Sequence, residues 1–480
     1  MSGTITLPNW IAVVVVVLAA LSVINCFVFP AARWMARRFA SKAIFDINKR
    51  FNLKLPFFQL TSRQVLIDRL IYDSEVLATV ALIADEKKVT RNAVMAEVVA
   101  FAREIVPSFN PYIYFGLGYR IARHFLRSFY LVRVGWVHEK ARKELPPETS
   151  VVFFINHRSN LDYPLVTYLA SRRAALSYGA GEWARVWPFR TILRLAGAYI
   201  LRRNLDNPVY HVVLRRYVQM ATAAGVPHAI FSEGALSRNG MVNAPKLGLL
   251  SYVCRGFDPA GNKDIVFVPV GTNFDRVIEQ RTLIANADTD YRGRGAGFVL
   301  GSTLLFLFRH IWLKLTRQWK GFGMAAANFG EPLSLRDWSK QNELSFAPDE
   351  KEALFAATAA LGDELRRRII VSIPILAVPL LAMMVLRTGE QMTQDKLKQT
   401  ALLELKRLQE LGAHAGFSKD SEQATINNGL DLMCGLGLVT INERGEIEPR
   451  PGEQGLLQYH ANSVIQLSAS LEARRAASVS

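Results

Sequence analysis

The stretch that decides the fold runs Val151-Val152-Phe153-Phe154-Ile155-Asn156-His157-Arg158-Ser159-Asn160-Leu161-Asp162-Tyr163-Pro164. Residues 151–155 are β-branched and aromatic, which suits a buried strand, and residues 156–160 are polar, which suits a strand-to-helix turn. Ser159 or Asn160 can cap the helix that follows, with Pro164 tolerated in its first turn. A histidine and a carboxylate thus stand between a strand and a helix. If Asp162 folds back on His157, it fixes the imidazole tautomer and stabilises the cation formed when the ring takes a proton. Held this way, a neutral histidine is a general base for a hydroxyl. A polar loop with a capping carboxylate reads the same residues without chemistry, and the chain has eight histidines, so the pair needs support from the rest of the chain.

That support begins with repetition of the pattern. Apolar runs recur at 198–201, 228–231 and 265–270, separated by helix-length segments at 164–172 and 210–224. Alternation of this kind predicts an α/β core, in which ligands sit at the strand ends. Three further loops are chemically loaded: Arg202-Arg203-Asn204 after the second run, Ser232-Glu233-Gly234-Ala235-Leu236-Ser237-Arg238-Asn239-Gly240 with Lys246 after the third, and Gly271-Thr272-Asn273-Phe274-Asp275 after the fourth. Cations and hydroxyls gathered at one sheet edge are what a phosphate monoester requires. A lone arginine pair, by contrast, is ordinarily surface charge.

Composition bounds the partners. The chain has 480 residues, half of them hydrophobic, and a net charge of +17, so it can fill a large core and calls for an anionic partner: nucleic acid, anionic lipid or a phosphorylated metabolite. Three dispersed cysteines (Cys26, Cys254, Cys434) indicate neither a disulfide framework nor a metal cluster, and fit a reducing compartment. Residues 10–29 carry no charge and are long enough to span a bilayer as a helix, which predicts a transmembrane anchor. Arg33, Arg37, Arg38, Lys42, Lys49 and Arg50 follow, with Asp46 the only acid among them, so the rest of the chain is expected on the cytoplasmic side of the cell inner membrane, gripping anionic lipids.

The expected organisation is an anchor (1–30), an N-terminal, mostly helical domain (31–145), the α/β core (146–345) and a C-terminal, mainly helical, winged-helix-like domain (346–480). Helices are expected at 63–83 and 91–103. Arg120, Arg123, Arg127 and Arg133 interleave with Tyr119, Phe125, Phe129 and Tyr130, a pattern that could stack bases but suits lipid headgroups better in an anchored chain, with a plain solvated face as the bland alternative. The apolar stretch 295–312 contains Arg309 and His310, which favours an interfacial helix over a span. Residues 369–386 are apolar but hold Pro374 and Pro379, which favours a buried or interfacial helix. Helices at 393–411 and 424–436 and a hairpin at 437–448 close the chain. Glu443, Glu446 and Glu448 against Arg444 give that hairpin the wrong balance for a nucleic-acid backbone, so no nucleic acid is expected.

Four of these segments together resemble a known set. His157-Arg158-Ser159-Asn160-Leu161-Asp162-Tyr163 resembles the first block of the glycerolipid acyltransferases. Gly179-Ala180-Gly181-Glu182, Trp187-Pro188 and Leu195-Ala196-Gly197-Ala198-Tyr199-Ile200-Leu201-Arg202-Arg203 resemble the second. Phe231-Ser232-Glu233-Gly234-Ala235-Leu236-Ser237-Arg238 resembles the third, and Phe267-Val268-Pro269-Val270 the fourth. The Arg202-Arg203 ending and Glu144-Leu145-Pro146-Pro147 look most like the bacterial membrane-bound glycerol-3-phosphate acyltransferases and their dihydroxyacetone-phosphate relatives. The resemblance implies transfer of a fatty acyl group from acyl-CoA or acyl-carrier protein to the sn-1 hydroxyl of glycerol 3-phosphate, giving lysophosphatidic acid. It implies His157 as base, Asp162 as its partner, and Arg202, Arg203, Glu233, Gly234, Ser237, Arg238 and Lys246 in the acceptor set. Alcohol attack on a thioester needs a base and donors for the oxyanion, and neither metal nor cofactor. The chain departs from the family in the third block, where Leu236 stands in place of an arginine. That loss weakens a phosphate contact unless Lys246 or Arg203 compensates, or unless the acceptor is dihydroxyacetone phosphate or lysophosphatidic acid. The rival class is a non-enzymatic, membrane-tethered protein that binds nucleic acid or a partner.

Overall fold

The computed structural model describes residues 55–136, 149–170, 175–185, 189–202, 205–285, 321–347, 350–388 and 392–479, and residues 56–480 form one compact unit. The expected anchor at 10–29, the basic run after it, Arg203 and the whole of the apolar stretch 295–312 lie outside the described residues.

Helices open the described chain: α1 (Arg63–Ile71), α2 (Ser74–Lys87), α3 (Arg91–Ile105) and α4 (Tyr119–Phe129). The expected single helix over 63–83 is two, because the Asp73 carboxylate accepts from the backbone N–H groups of Glu75 (3.1 Å) and Val76 (3.4 Å) and starts α2 afresh. On α4, Leu126 and Phe129 are buried while Arg120, Arg123 and Arg127 face outward.

The sheet holds β1 (Leu131–Trp136), β2 (Thr149–Ile155), β3 (Ser177–Ala180), β4 (Ala198–Ile200), β5 (His228–Phe231), β6 (Asp264–Phe274) and β7 (Met324–Phe329) in the order β1-β7-β6-β2-β5-β3-β4, with β8 (Leu333–Ser334) beside β6. From β6 through β2, β5 and β3 to β4 every pairing is parallel, whereas β7 runs antiparallel to β6. Between the parallel strands run α5 (Asp162–Ala170), α6 (Phe189–Leu195), α7 (Pro208–Ala223) and α8 (Leu247–Cys254). This is the α/β core expected from the alternation. The unbroken apolar run Ile265-Val266-Phe267-Val268 belongs to a strand buried on both faces, as parallel sheets are. Ile155 pairs with both Phe231 and Val270, so the loop after β2 opens beside the loop after β5 and the far half of β6.

Three strands escape the sequence pattern. β3 reads Ser-Tyr-Gly-Ala, too short to alternate, and owes its form to pairing on both sides with β4 and β5. β1 falls in a segment read mostly as helical, and exists as the parallel partner of β7, whose Ala-rich run carries little strand signal of its own.

Beyond the sheet come α9 (Leu335–Gln341), α10 (Lys351–Ser372), α11 (Ala377–Thr388), β9 (Met392–Thr393), α12 (Gln394–Glu410), α13 (Glu422–Leu436), the hairpin β10 (Val439–Ile441) and β11 (Glu446–Pro449), and α14 (Gln454–Val479). β9 completes a three-stranded antiparallel sheet with the hairpin. The apolar stretch 369–386 is not one helix: the chain breaks between α10 and α11 at Pro374, and Ile375, Leu376, Val378, Leu380 and Leu381 are sealed in the protein's own core. Among the described residues, no helix is long and apolar enough to cross a membrane. Side chains of α1–α3, α7, α8 and α10 share one apolar cluster with β2 and β6. Helices from well before and well after the sheet in sequence therefore form a single core with it.

Candidate active site

The loop after β2 is built around one carboxylate. Asp162, fully buried, accepts at Oδ2 from the backbone N–H groups of Arg158 (2.7 Å) and Ser159 (2.9 Å) and lies 3.1 Å from His157 Nδ1, while Oδ1 accepts from the Thr272 hydroxyl (2.8 Å). Four donors on one buried carboxylate fix its position. The Asn156 side chain continues the sheet by bonding the Thr272 backbone on both sides, its Oδ1 accepting from Thr272 N (2.7 Å) and its Nδ2 donating to Thr272 O (3.0 Å).

His157 is held on every side but one. Its ring stacks on Phe231 at 4.4 Å between centroids, its backbone N–H donates to Glu233 Oε1 (3.2 Å), and its carbonyl accepts from Ser237 N (2.8 Å). With Nδ1 donating to Asp162, Nε2 carries the lone pair, and the side chain is 13% exposed. The ring that carries this proton-accepting nitrogen thus keeps a small exposure to solvent at the end of β2.

The loop after β5 supplies the neighbours. Burial pushes the Glu233 carboxyl above its ordinary value, against hydrogen bonds from Asn243 Nδ2 (2.8 Å) and the His157 backbone. Gly234 turns the chain in the left-handed region (φ +64°), and a Cβ there would meet the Lys246 side chain at 3.2 Å, so the lysine stem lies across the turn. Ser237 is spent internally, its hydroxyl bonding Met241 O (2.7 Å), which makes it a support for the loop rather than a ligand. Arg238 and Lys246 are exposed on the same loop, and Leu236, two residues before Arg238, is half-buried.

Arg202 departs from the acceptor set that the resemblance implies. It follows β4, separated from β2 by β5 and β3, so roughly 14 Å of sheet lies between them at the usual strand spacing. Its guanidinium forms a two-point pair with Glu104 of α3, Nε to Oε1 at 2.9 Å and Nη2 to Oε2, and lies over the Phe101 ring. Burial works to raise the Glu104 carboxyl, but the Arg202 hydrogen bond and charge, aided by Arg185 and Arg190, outweigh it and hold it below the ordinary value. The pair is mutually satisfied.

Two residues distant in sequence, Glu279 and Tyr459, anchor the loop after β2. Glu279 accepts from the Ser159 hydroxyl (2.9 Å) and from the Asn160 backbone (3.2 Å) and side chain (3.0 Å), and burial raises its carboxyl above the ordinary range. Arg158 is 1% exposed: Nη1 donates to Gly240 O (3.0 Å), Nη2 reaches Tyr459 O (3.5 Å), and the guanidinium stacks 5.0 Å from the Tyr459 ring centroid. Tyr459 belongs to α14, so the C-terminal helix is part of the scaffold of the loop. Thr272 falls in the stretch 271–275 expected as a loop, but β6 runs on to Phe274 because β7 pairs with its far half, so Thr272 reaches Asp162 from the strand itself. Nothing local marks Glu279 or Tyr459.

Residues 137–273 match the family described as Acyltransferase, and residues 311–472 match the family described as glycerol-3-phosphate acyltransferase C-terminal region. Among curated relatives, the glycerol-3-phosphate acyltransferase of Ectopseudomonas mendocina (strain ymp) is 25% identical over 85% of this chain and 49% of its own length. That of Pseudomonas syringae pv. tomato (strain ATCC BAA-871 / DC3000) is 28% identical over 69% of this chain and 40% of its own. The chain thus spans about half, or less, of the length of these relatives. The solved 1-acyl-sn-glycerophosphate (LPA) acyltransferase PlsC from Thermotoga maritima matches at 16% identity over 65% of this chain and 96% of its own, with a TM-score of 0.28, too loose a likeness to carry weight.

Proposed function

We propose that this chain, which belongs to the glycerolipid acyltransferase family, transfers a fatty acyl group from a thioester donor to the sn-1 hydroxyl of glycerol 3-phosphate and so makes lysophosphatidic acid. The observation that carries the reading is the His157–Asp162 pair, with Nδ1 committed to the carboxylate and the ring partly exposed at the end of β2. In the proposed reaction Nε2 takes the hydroxyl proton as the oxygen attacks the thioester carbonyl. Asp162 stabilises the imidazolium without taking the proton itself. The tetrahedral oxyanion collapses, the carbon–sulfur bond breaks, and the imidazolium returns its proton to the departing thiolate. Arg238 and Lys246, beside Glu233 and Gly234 on the loop after β5, are the proposed ligands of the acceptor phosphate, joined by Arg203. No resident cofactor enters this chemistry.

The test is transfer of label from radioactive acyl-CoA or acyl-carrier protein to glycerol 3-phosphate by the detergent-purified protein, beside His157→Ala and Asp162→Asn. Absence of transfer to any phosphorylated acceptor, or activity that survives both substitutions, would sink the proposal. Leu236 gives a specific reason to run dihydroxyacetone phosphate and lysophosphatidic acid in the same assay, because the family arginine it replaces is a phosphate contact.

For location, we propose residues 10–29 as an inner-membrane anchor and the outward arginines of α4 as a contact to anionic headgroups. Residues 392–449 form the proposed winged-helix-like unit, read as structural: Asn442 Nδ2 is bonded to Glu446 and Glu448, acids that a nucleic-acid phosphate would avoid. Release of the full-length protein from membranes by alkaline carbonate would count against the anchor.

A further inference from the structure

Next to the Arg202–Glu104 pair lies a pocket of about 370 Å³ whose walls include Arg63, Arg185, Arg190, Arg194, Ser108 and Thr191. Part of this charge has a structural duty. Arg63 Nε donates to Val106 O (3.0 Å) and Nη2 to Arg103 O, while Arg194 Nη2 donates to Arg103 O (3.0 Å) and Glu104 O (2.8 Å), so both cap the carbonyl end of α3. The remaining charge does not. Glu104 is the only carboxylate that pairs with these arginines among the described residues, and Arg202 already holds both its oxygens, leaving Arg185 a secondary contact at 3.4 Å. Arg190 makes no hydrogen bond or ion pair among the described residues, and Arg194 Nε is buried with no partner. Burial, followed by repulsion from Arg190 and Arg63, lowers Arg194 to about 10, and burial with repulsion from Arg190 and Arg103 lowers Arg63. Such a cluster lacks an anion.

Its place in the fold indicates which one. Arg185 and Arg190 sit on the crossover from β3 to β4, two to three strands from β2, or roughly 10–15 Å from the line of His157 at ordinary strand spacing. That is too far for the phosphate of a glycerol whose hydroxyl touches Nε2, and of the order of the pantetheine arm that separates a thioester from the phosphates of a CoA-type donor. We infer that this pocket binds the phosphates at the nucleotide end of an acyl-CoA donor, with Arg190 and Arg185 as the exposed ligands and Arg194 Nε as the buried one. The inference rests on the acyl-transfer reading for the donor's identity, but not for the anion site itself.

The test uses the full-length protein and adenosine 3′,5′-bisphosphate as the probe, titrated calorimetrically, beside steady-state kinetics with palmitoyl-CoA and with palmitoyl-carrier protein. Arg190→Gln, whose side chain supports nothing else, should weaken probe binding and raise the KM for palmitoyl-CoA by about tenfold, the worth of one charge-assisted phosphate contact. Its kcat and its KM for glycerol phosphate should stay within twofold of wild type, and Arg190→Lys should recover part of the loss. Probe affinity and palmitoyl-CoA KM both unchanged in Arg190→Gln and in the Arg185→Gln/Arg190→Gln double variant would overturn the inference. So would a rise in KM confined to the carrier-protein donor. Probe binding that the substitutions weaken, in a protein with no acyl transfer, would uphold the anion site and sink the proposed function instead.

Discussion

Tyr459→Leu should slow turnover although the residue lies 301 positions from the Arg158 side chain it holds. The substitution removes the aromatic face under the Arg158 guanidinium and the long bond from the tyrosine hydroxyl to Arg158 O (3.4 Å), but keeps the carbonyl at 459 that Nη2 reaches. A desolvated cation–π contact contributes about 2 kcal/mol and a long neutral hydrogen bond about 0.5 kcal/mol, so about 1–2.5 kcal/mol of hold on the loop is lost. Arg158 also supplies a backbone N–H to Asp162, so the slack is felt by the dyad itself. If all of it appears as lost population of the aligned dyad, kcat falls about fivefold to seventyfold; if the Glu279 bonds keep the loop near its place, the fall is nearer threefold. KM for the acceptor should hardly move, and Tyr459→Phe should stay close to wild type because it keeps the ring. Gly240→Ala approaches the same contact from the other side: φ is +75° there, and the added Cβ would overlap the Tyr459 carbonyl oxygen, so α14 must shift and turnover must fall with it. The assay is steady-state kinetics on variants matched for circular dichroism and melting temperature. A well-folded Tyr459→Leu protein with kcat within twofold of wild type would refute the reasoning.

Asp162→Asn places an amide N–H₂ among donors that now share a carboxylate, so kcat should drop about 10³-fold or more with little change in KM; a loss below tenfold would mean that the carboxylate is not what orients His157. Leu236→Arg should lower the apparent KM for glycerol 3-phosphate by restoring a bidentate phosphate ligand, and an unchanged or raised KM would show that another group fills the role. Burial, followed by the charge of Arg158, lowers His460 to about 3, and the ring is bonded to Gln280 Oε1 at 3.0 Å. Because this folded value lies below the ordinary 6.5, the neutral ring contributes stability above pH 6.5 that drains as pH falls towards 3. Thermal melts of His460→Gln should therefore show a shallower loss on acidification than wild type, and parallel curves would exclude His460 as a source of acid lability.

What could be read from the sequence, and what could not, divides by range. The strand ending at Ile155, the turn and the His157–Asp162 contact lie within a dozen residues, so local composition and chemistry agree and the site is legible there. Glu233 and Gly234 are nearly as legible, because β5 pairs with β2 in parallel and its loop must open at the same edge. Arg202 shows where this ends. Its place after an apolar run tells which strand end it occupies, but its charge is met by Glu104, 98 residues earlier, on a helix whose packing no motif specifies. The same holds for Glu279 and Tyr459, which hold the loop from sequence distances of 119 and 301 residues. A motif residue thus has an address without a partner, and for a cation the partner decides the role. With Arg202 neutralised by Glu104, the proposed hold on an acceptor phosphate near His157 falls to Arg238 and Lys246, joined by Arg203. The uncompensated arginines across β3 and β4 then lie at the distance where a donor, rather than an acceptor, presents its phosphates.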